Sequence, residues 1–132
     1  MIPPPLTVGL TLCHYVMVEE RTKNVSLIGG FSKFRGRAFP FAPAPFCVYT
    51  SLIGGHDTGE LELTVTSLET DEEVFALRRP LTFLDRLTPV RVLFRLNDCE
   101  FPVAGFYLMT LLMDGEWVAQ LRFEVSQGES SL

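Results

Sequence analysis

A thiol beside an imidazole is the core of a nucleophilic pair, and Cys13-His14 sets the two types side by side. The surrounding residues alternate as a strand does, so neighbouring side chains point to opposite faces and these two do not meet. A working dyad would bring His14 or His56 to Cys47 or Cys99 across the fold, with a third group to orient the base. Nothing in the spacing asks for that, and His14 reads as a semi-buried, hydrogen-bonded histidine. The three cysteines, Cys13, Cys47 and Cys99, are odd in number and far apart, without a CxxC. A disulfide framework or a zinc knuckle has a different arrangement, so they read as reduced thiols packed like small hydrophobes.

Other chemistry-bearing residues have plainer readings. His56-Asp57 sits between glycines, where turn chemistry accounts for the aspartate and a metal would want a third ligand. Glu69, Asp71, Glu72 and Glu73 form one acidic turn, fewer ligands than calcium takes unless a second loop contributes. There is no GxSxG, no Gly-rich phosphate loop and no GxGxxG opening a helix. The expectation is a protein that is not an enzyme, with no catalytic residues, no cofactor and no metal.

Lys33, Arg35 and Arg37 alternate around Phe34 and Gly36 as the one local basic patch. Such a patch holds an anion, a phosphate or an acidic partner. The same pattern also protects an edge strand from aggregation. A segment rich in proline and phenylalanine adjoins it, and Lys33, Arg35, Arg37, Phe39 and Phe41 are the candidate binding residues. The formal charge of the whole chain is −5, which gives no field for polyanions, and no nucleic acid is expected.

The elements that carry these residues are strands. Phe101 to Val125 is the clearest stretch, two apolar arms around Asp114-Gly115, a strong two-residue hairpin signal. In the second arm Trp117, Ala119, Leu121, Phe123 and Val125 share one face. Glu116, Gln120, Arg122 and Glu124 share the other, with Val118 the one apolar residue among them. This alternation puts Trp117 on the core side. The first arm is apolar on both sides, with Phe106, Leu108 and Leu112 opposite Tyr107, Met109, Leu111 and Met113. Such a strand is covered on both faces or pairs with another molecule.

Earlier in the chain, the prolines at 3–5 hold it extended to Leu6, and Thr7 to Glu19 reads as one long strand. Glu19 to Asn24 is a turn, and Val25 to Phe34 returns, with Gly29-Gly30 as a bulge or a close backbone approach. Arg35 to Pro45 is a crossing segment that Phe39, Phe41 and Phe46 anchor over an open end of the core. Strands follow at Phe46 to Ile53, Glu60 to Leu68, Val74 to Leu77 and Val90 to Leu96. Arg79 to Pro89 reads as a connection with one helical turn at Leu84 to Leu87.

Seven to nine short strands and no amphipathic helical window describe an all-β, single-domain antiparallel β-sandwich, immunoglobulin-like in the Tyr107 arm. The domain spans 1–126, and 127–132 is a polar C-terminal tail. At 132 residues the chain buries a core without crosslinks. No secretory signal and no apolar run of membrane-spanning length are seen, so a soluble cytoplasmic protein is expected, with no membrane partner.

The opening LTLCHYVMVEERTKNVSLIGGFSKF, with its acidic turn and returning strand, resembles the start of a family of small uncharacterised bacterial proteins, a domain of unknown function with an all-β sandwich. GELELTVTSLETDEEVF and GFYLMTLLMDGEWVAQLRFEV are similar to the remainder of such proteins. The resemblance implies the fold and no particular activity. The functional expectation is therefore a non-catalytic binding or protein–protein interaction module, with a protein partner and a homodimer. The alternative is a small-ligand or carbohydrate-binding sandwich that stacks on Trp117, Tyr49 or Tyr15.

Overall fold

The computed structural model describes residues 4–7 and 9–128, and among them only strands, bridges, turns and loops occur. The strands are β1 (Leu6–Thr7), β2 (Thr11–Cys13), β3 (Tyr15–Val18), β4 (Val25–Ile28), β5 (Lys33–Gly36) and β6 (Phe46–Ile53). They continue with β7 (Thr58–Ser67), β8 (Glu73–Thr82), β9 (Val90–Leu96), β10 (Gly105–Met113) and β11 (Glu116–Gln127). β6 and β9 have the bounds read from their alternation.

The eleven strands exceed the seven to nine expected because two long stretches are broken. Thr7 to Glu19 is interrupted around Gly9, whose φ is 103°, and again at His14. Val8, read as part of that strand, and Pro3 of the opening prolines lie outside the described residues. Val25 to Phe34 is interrupted at Gly29, whose φ is 72°. Leu12 pairs with Phe31 and Tyr15 with Ile28, so the register is kept and Gly29-Gly30 is a close approach without an inserted residue. A Cβ on Gly29 would stand 2.7 Å from His14 Cδ2, so the histidine ring lies where only glycine fits.

The smaller sheet has β6 at its centre, β9 along one side, and β1 and β2 end to end along the other. The larger sheet has the order β5-β11-β10-β7-β8. Every pairing is antiparallel except β5 on β11, a departure from the wholly antiparallel arrangement expected. The chain crosses from one sheet to the other between Gly29 and Ser32, and so reaches β11 running in the same direction. β3 and β4 form a two-stranded ribbon that folds back over the smaller sheet. β3 touches β6, and the Arg91 guanidinium on β9 donates to the Lys23 carbonyl at the ribbon's turn.

Period-2 alternation sends one set of side chains from each sheet into a single buried cluster. Phe46, Val48, Leu52, Val92 and Phe94 come from the smaller sheet, and Leu61, Leu63, Tyr107, Met109 and Phe123 from the larger. Thr50 is fully buried among them, and its hydroxyl donates to the Gly9 carbonyl at 2.7 Å. One end of the core is aromatic. The Phe34 ring lies 4.8 Å from Phe31, 5.0 Å from Phe46, 5.4 Å from Phe101 and 5.9 Å from Phe123. The crossing segment closes over this end, with the Phe41 and Phe101 backbones exchanging hydrogen bonds of 2.8 Å.

Two connections differ from expectation. β8 runs on through Arg78, Arg79 and Pro80 to Thr82, which an edge strand tolerates because no neighbour needs the missing N–H. Leu84 to Leu87 is no helical turn. The Asp85 carboxylate accepts from the Leu87 and Thr88 N–H groups at 2.8 and 2.7 Å, local bonds that compete with a helix.

The last hairpin turns on Asp114 and Gly115, with φ of 51° and 81°, the positive pair that a two-residue turn of matching twist requires. Ser126 and Gln127 still belong to β11, and residues 129–132 of the polar tail lie outside the described residues.

Candidate interaction surface

Because β10 is apolar on both faces, burying one leaves the other outward. Tyr107, Met109, Leu111 and Met113 face the core, while Phe106 is exposed and Leu108 and Leu112 are half-buried on the outside of the larger sheet. Next to them on β11, Arg122 stands opposite Leu108, Gln120 opposite Thr110 and Trp117 opposite Leu112.

Trp117 is the main correction to the sequence reading. It is 57% exposed, whereas Val118 is 5% exposed. Leu111 pairs with Ala119 and Leu112 with Trp117, so Val118 is an extra residue, a β-bulge that reverses the faces of everything before it. The lone apolar residue on the polar side of β11 was the trace of that bulge.

The outer face thus carries an apolar stripe, Phe106, Leu108, Leu112 and Trp117, with polar groups tied down on both flanks. The Arg122 guanidinium lies 4.7 Å over the Phe106 ring, a cation–π contact. Lys33 Nζ is 3.4 Å from Glu124 Oε1, and Arg78 Nε donates to Glu62 Oε2 at 2.7 Å. Gln120 Nε2 donates to Thr110 Oγ1 at 3.2 Å.

The five candidate binding residues divide between surface and core. Lys33 and Arg35 lie on the exposed side of β5, against Glu124 and Ser126, on the same face as the stripe. Arg37 is exposed just beyond the strand. Phe39 and Phe41 are half-buried and turn toward the aromatic end of the core, Phe41 at 6.4 Å from both Phe34 and Phe101 and Phe39 at 6.3 Å from Phe41. A Cβ on Gly36 would meet Phe41 Cγ at 2.6 Å, which accounts for the glycine between the arginines.

His14 is exposed, not semi-buried, and its ring is tilted on Phe31 at 4.8 Å. His56 and Asp57 line a cleft of ≈ 420 Å³ with Pro4, Pro5, Phe83, Asp114 and Glu116. Asp114 is engaged there, its carboxylate accepting from the Glu60 N–H at 2.9 Å. In the acidic turn the organising group is the Ser67 hydroxyl, which accepts from the Glu69 and Thr70 N–H groups at 3.2 Å, while the carboxylates are exposed. Among the described residues, no three of His, Cys, Asp and Glu stand together as metal ligands.

Cys99 is buried alone, and desolvation pushes its thiol up to about 12. Cys13 and Cys47 are directly opposite each other in the β2–β6 pairing, a proximity that two distant sequence positions do not announce. Tyr107, also desolvated and raised, donates its hydroxyl to the Val103 carbonyl at 2.5 Å.

An all-β domain with its core between two sheets and an apolar stripe on one outer face is the class these features define. The chain belongs to DUF6941, a family of unknown function, whose pattern matches residues 9–126. No curated protein matches it. Among solved structures it is similar to a Pseudomonas fluorescens alkylpurine DNA glycosylase, AlkC, bound to DNA containing an abasic site analog. That likeness has a TM-score of 0.50 at 11% identity, covers 89% of this chain and spans 30% of the glycosylase chain, and it concerns the fold alone. Among the described residues no helix is long and apolar enough to cross a membrane.

Proposed function

We propose that this protein is a non-catalytic protein–protein interaction module, an immunoglobulin-like sandwich that docks through the outer face of its larger sheet, first of all onto a second copy of itself. The observation that carries the reading is the Phe106–Leu108–Leu112–Trp117 stripe, large apolar side chains in line on a face that the described residues leave exposed or half-buried. Apolar side chains along the middle with charged groups at the rim are the usual anatomy of an interface.

The charges favour a two-fold arrangement. Lys33 and Arg35 lie at the β5 edge near the level of Phe106, and Glu73 lies across the stripe on β8, opposite Thr66 and level with Leu108. A copy rotated about an axis along β10 brings each basic flank over the acidic turn of the other. Arg37 extends the same basic rim. The immunoglobulin-like reading is supported by Tyr107, whose hydroxyl bonds back to Val103 as in a tyrosine corner. The test is Leu108→Glu and Leu112→Glu, which should abolish self-association while the domain stays folded. Association that survives both changes refutes the assignment.

A second reading, a small-ligand or carbohydrate-binding sandwich, is favoured by the same tryptophan. Trp117 borders a groove of ≈ 520 Å³ with Pro4, Pro5, Leu6, Thr7 and Gln120, and an exposed indole beside a groove is a stacking surface. Saturable quenching of Trp117 fluorescence by a panel of sugars would favour this reading, and indifference to all of them would remove it.

A further inference from the structure

We propose that Cys13 and Cys47 are a redox pair, which closes to an intramolecular disulfide across β2 and β6 when the protein meets a peroxide. The two residues are direct partners in the antiparallel ladder, so their side chains leave the smaller sheet on the same face. The Leu12 carbonyl accepts from Phe31 and the His14 N–H donates to Ile28 and Gly29. The backbone groups of the intervening Cys13 therefore point the other way, to Cys47. A hydrogen-bonded antiparallel pair has Cα atoms about 5.5 Å apart, within the span of about 4.4–6.8 Å that a disulfide bridges.

The surroundings favour a small oxidant. Cys13 and Cys47 are 0% and 3% exposed, covered where the chain turns into the ribbon, with the Cys47 sulfur 3.7 Å from the His14 carbonyl. Arg95, opposite Cys47 on β9, brings its guanidinium to 3.9 Å from that sulfur. Negative charge arriving on Cys47 thus has a cation beside it. Burial and the neighbouring Cys47 hold the Cys13 thiol up, which leaves Cys47, with Arg95 beside it, as the sulfur that meets the peroxide first.

In that first step the Cys47 sulfur attacks one peroxide oxygen. The O–O bond breaks, the thiol proton leaves with the departing oxygen as water, and a sulfenic acid remains. The Cys13 sulfur then attacks the Cys47 sulfur, the S–O bond breaks, and the hydroxyl leaves as a second water with the Cys13 proton. Two thiols lose two electrons in all, and one peroxide gains them. Cys99, with no cysteine beside it, takes no part.

The test is peroxide treatment of the native protein, then alkylation in denaturant and peptide mapping. The expected product is lighter by about 2 Da, carries a Cys13–Cys47 crosslinked peptide with only Cys99 alkylated, and reverts on thiol reduction. Cys99→Ala should behave as wild type, and Cys13→Ala should leave a sulfenic acid at Cys47 that a 1,3-dione traps. Full alkylation of all three cysteines after peroxide, a crosslink that includes Cys99, or one between two chains would overturn the pair.

Discussion

Leu112 faces Trp117 across the last hairpin while Leu111 faces Ala119, and Val118 between them has no partner of its own. That single unmatched residue turns the indole outward and Val118 inward. It completes an apolar stripe on one side of the sheet without opening a hole on the other. A bulge is a local kink with increased twist, well suited to re-aiming one large side chain.

Trp117 is the only tryptophan, so its emission reports this geometry directly. At high dilution the emission should resemble that of free indole and be quenched readily by iodide. With rising protein concentration it should move to shorter wavelength as a second copy covers the ring. Blue-shifted, unquenchable emission in a sample shown to have the single-chain mass would place the ring in the core and refute the bulge.

Phe34 is the hub of the aromatic end, in contact with Phe31, Phe46, Phe101 and Phe123 and, from the crossing segment, Phe41. Phe34→Ala leaves a cavity with little room to collapse and should cost about 3–5 kcal/mol, read as a lower urea midpoint. Phe39→Ala, at the half-exposed margin of the same cluster, should cost clearly less.

Tyr107→Phe keeps the buried ring and removes the hydroxyl that bonds the carbonyl of half-buried Val103, leaving that acceptor without its partner. The loss should be about 1–2 kcal/mol. An unchanged unfolding midpoint would mean that the corner contributes nothing.

Cys99 gives the protein an alkaline sensitivity. Its thiol titrates from 9.0 in the unfolded chain and about 12 in the folded one, because burial disfavours the thiolate. Above the unfolded value the unfolded state has given up a proton that the folded state still holds. The stability present below pH 9.0 is therefore lost as pH rises toward about 12. The loss is about 1.4 kcal/mol per pH unit for this one group. Cys99→Ala should flatten the decline of the urea midpoint over that window by one proton's worth, and an identical decline in the variant would show another group to be responsible.

Much of the fold is legible in the sequence because its signals are local. The alternation of Phe46–Ile53 and Val90–Leu96 and the Asp114-Gly115 turn need no knowledge of distant residues. What escapes is decided between segments. The register that sets Cys13 against Cys47 and the parallel meeting of β5 with β11 are properties of pairs of strands. The outward turn of Trp117 depends on a slip of one residue, and period-2 reading cannot absorb a slip. Of the surface itself, Leu108 and Leu112 were visible as surplus hydrophobes on β10. Phe39 and Phe41 looked like a binding edge because aromatic residues beside prolines and arginines resemble one, yet their rings complete the core.

The most direct measurement is the molar mass of the wild-type protein in solution, by size-exclusion chromatography with light scattering at low micromolar concentration. Self-association through the outer sheet face predicts twice the chain mass, returning to the single-chain mass in Leu112→Glu. A single-chain mass for the wild type across the accessible concentration range would contradict it.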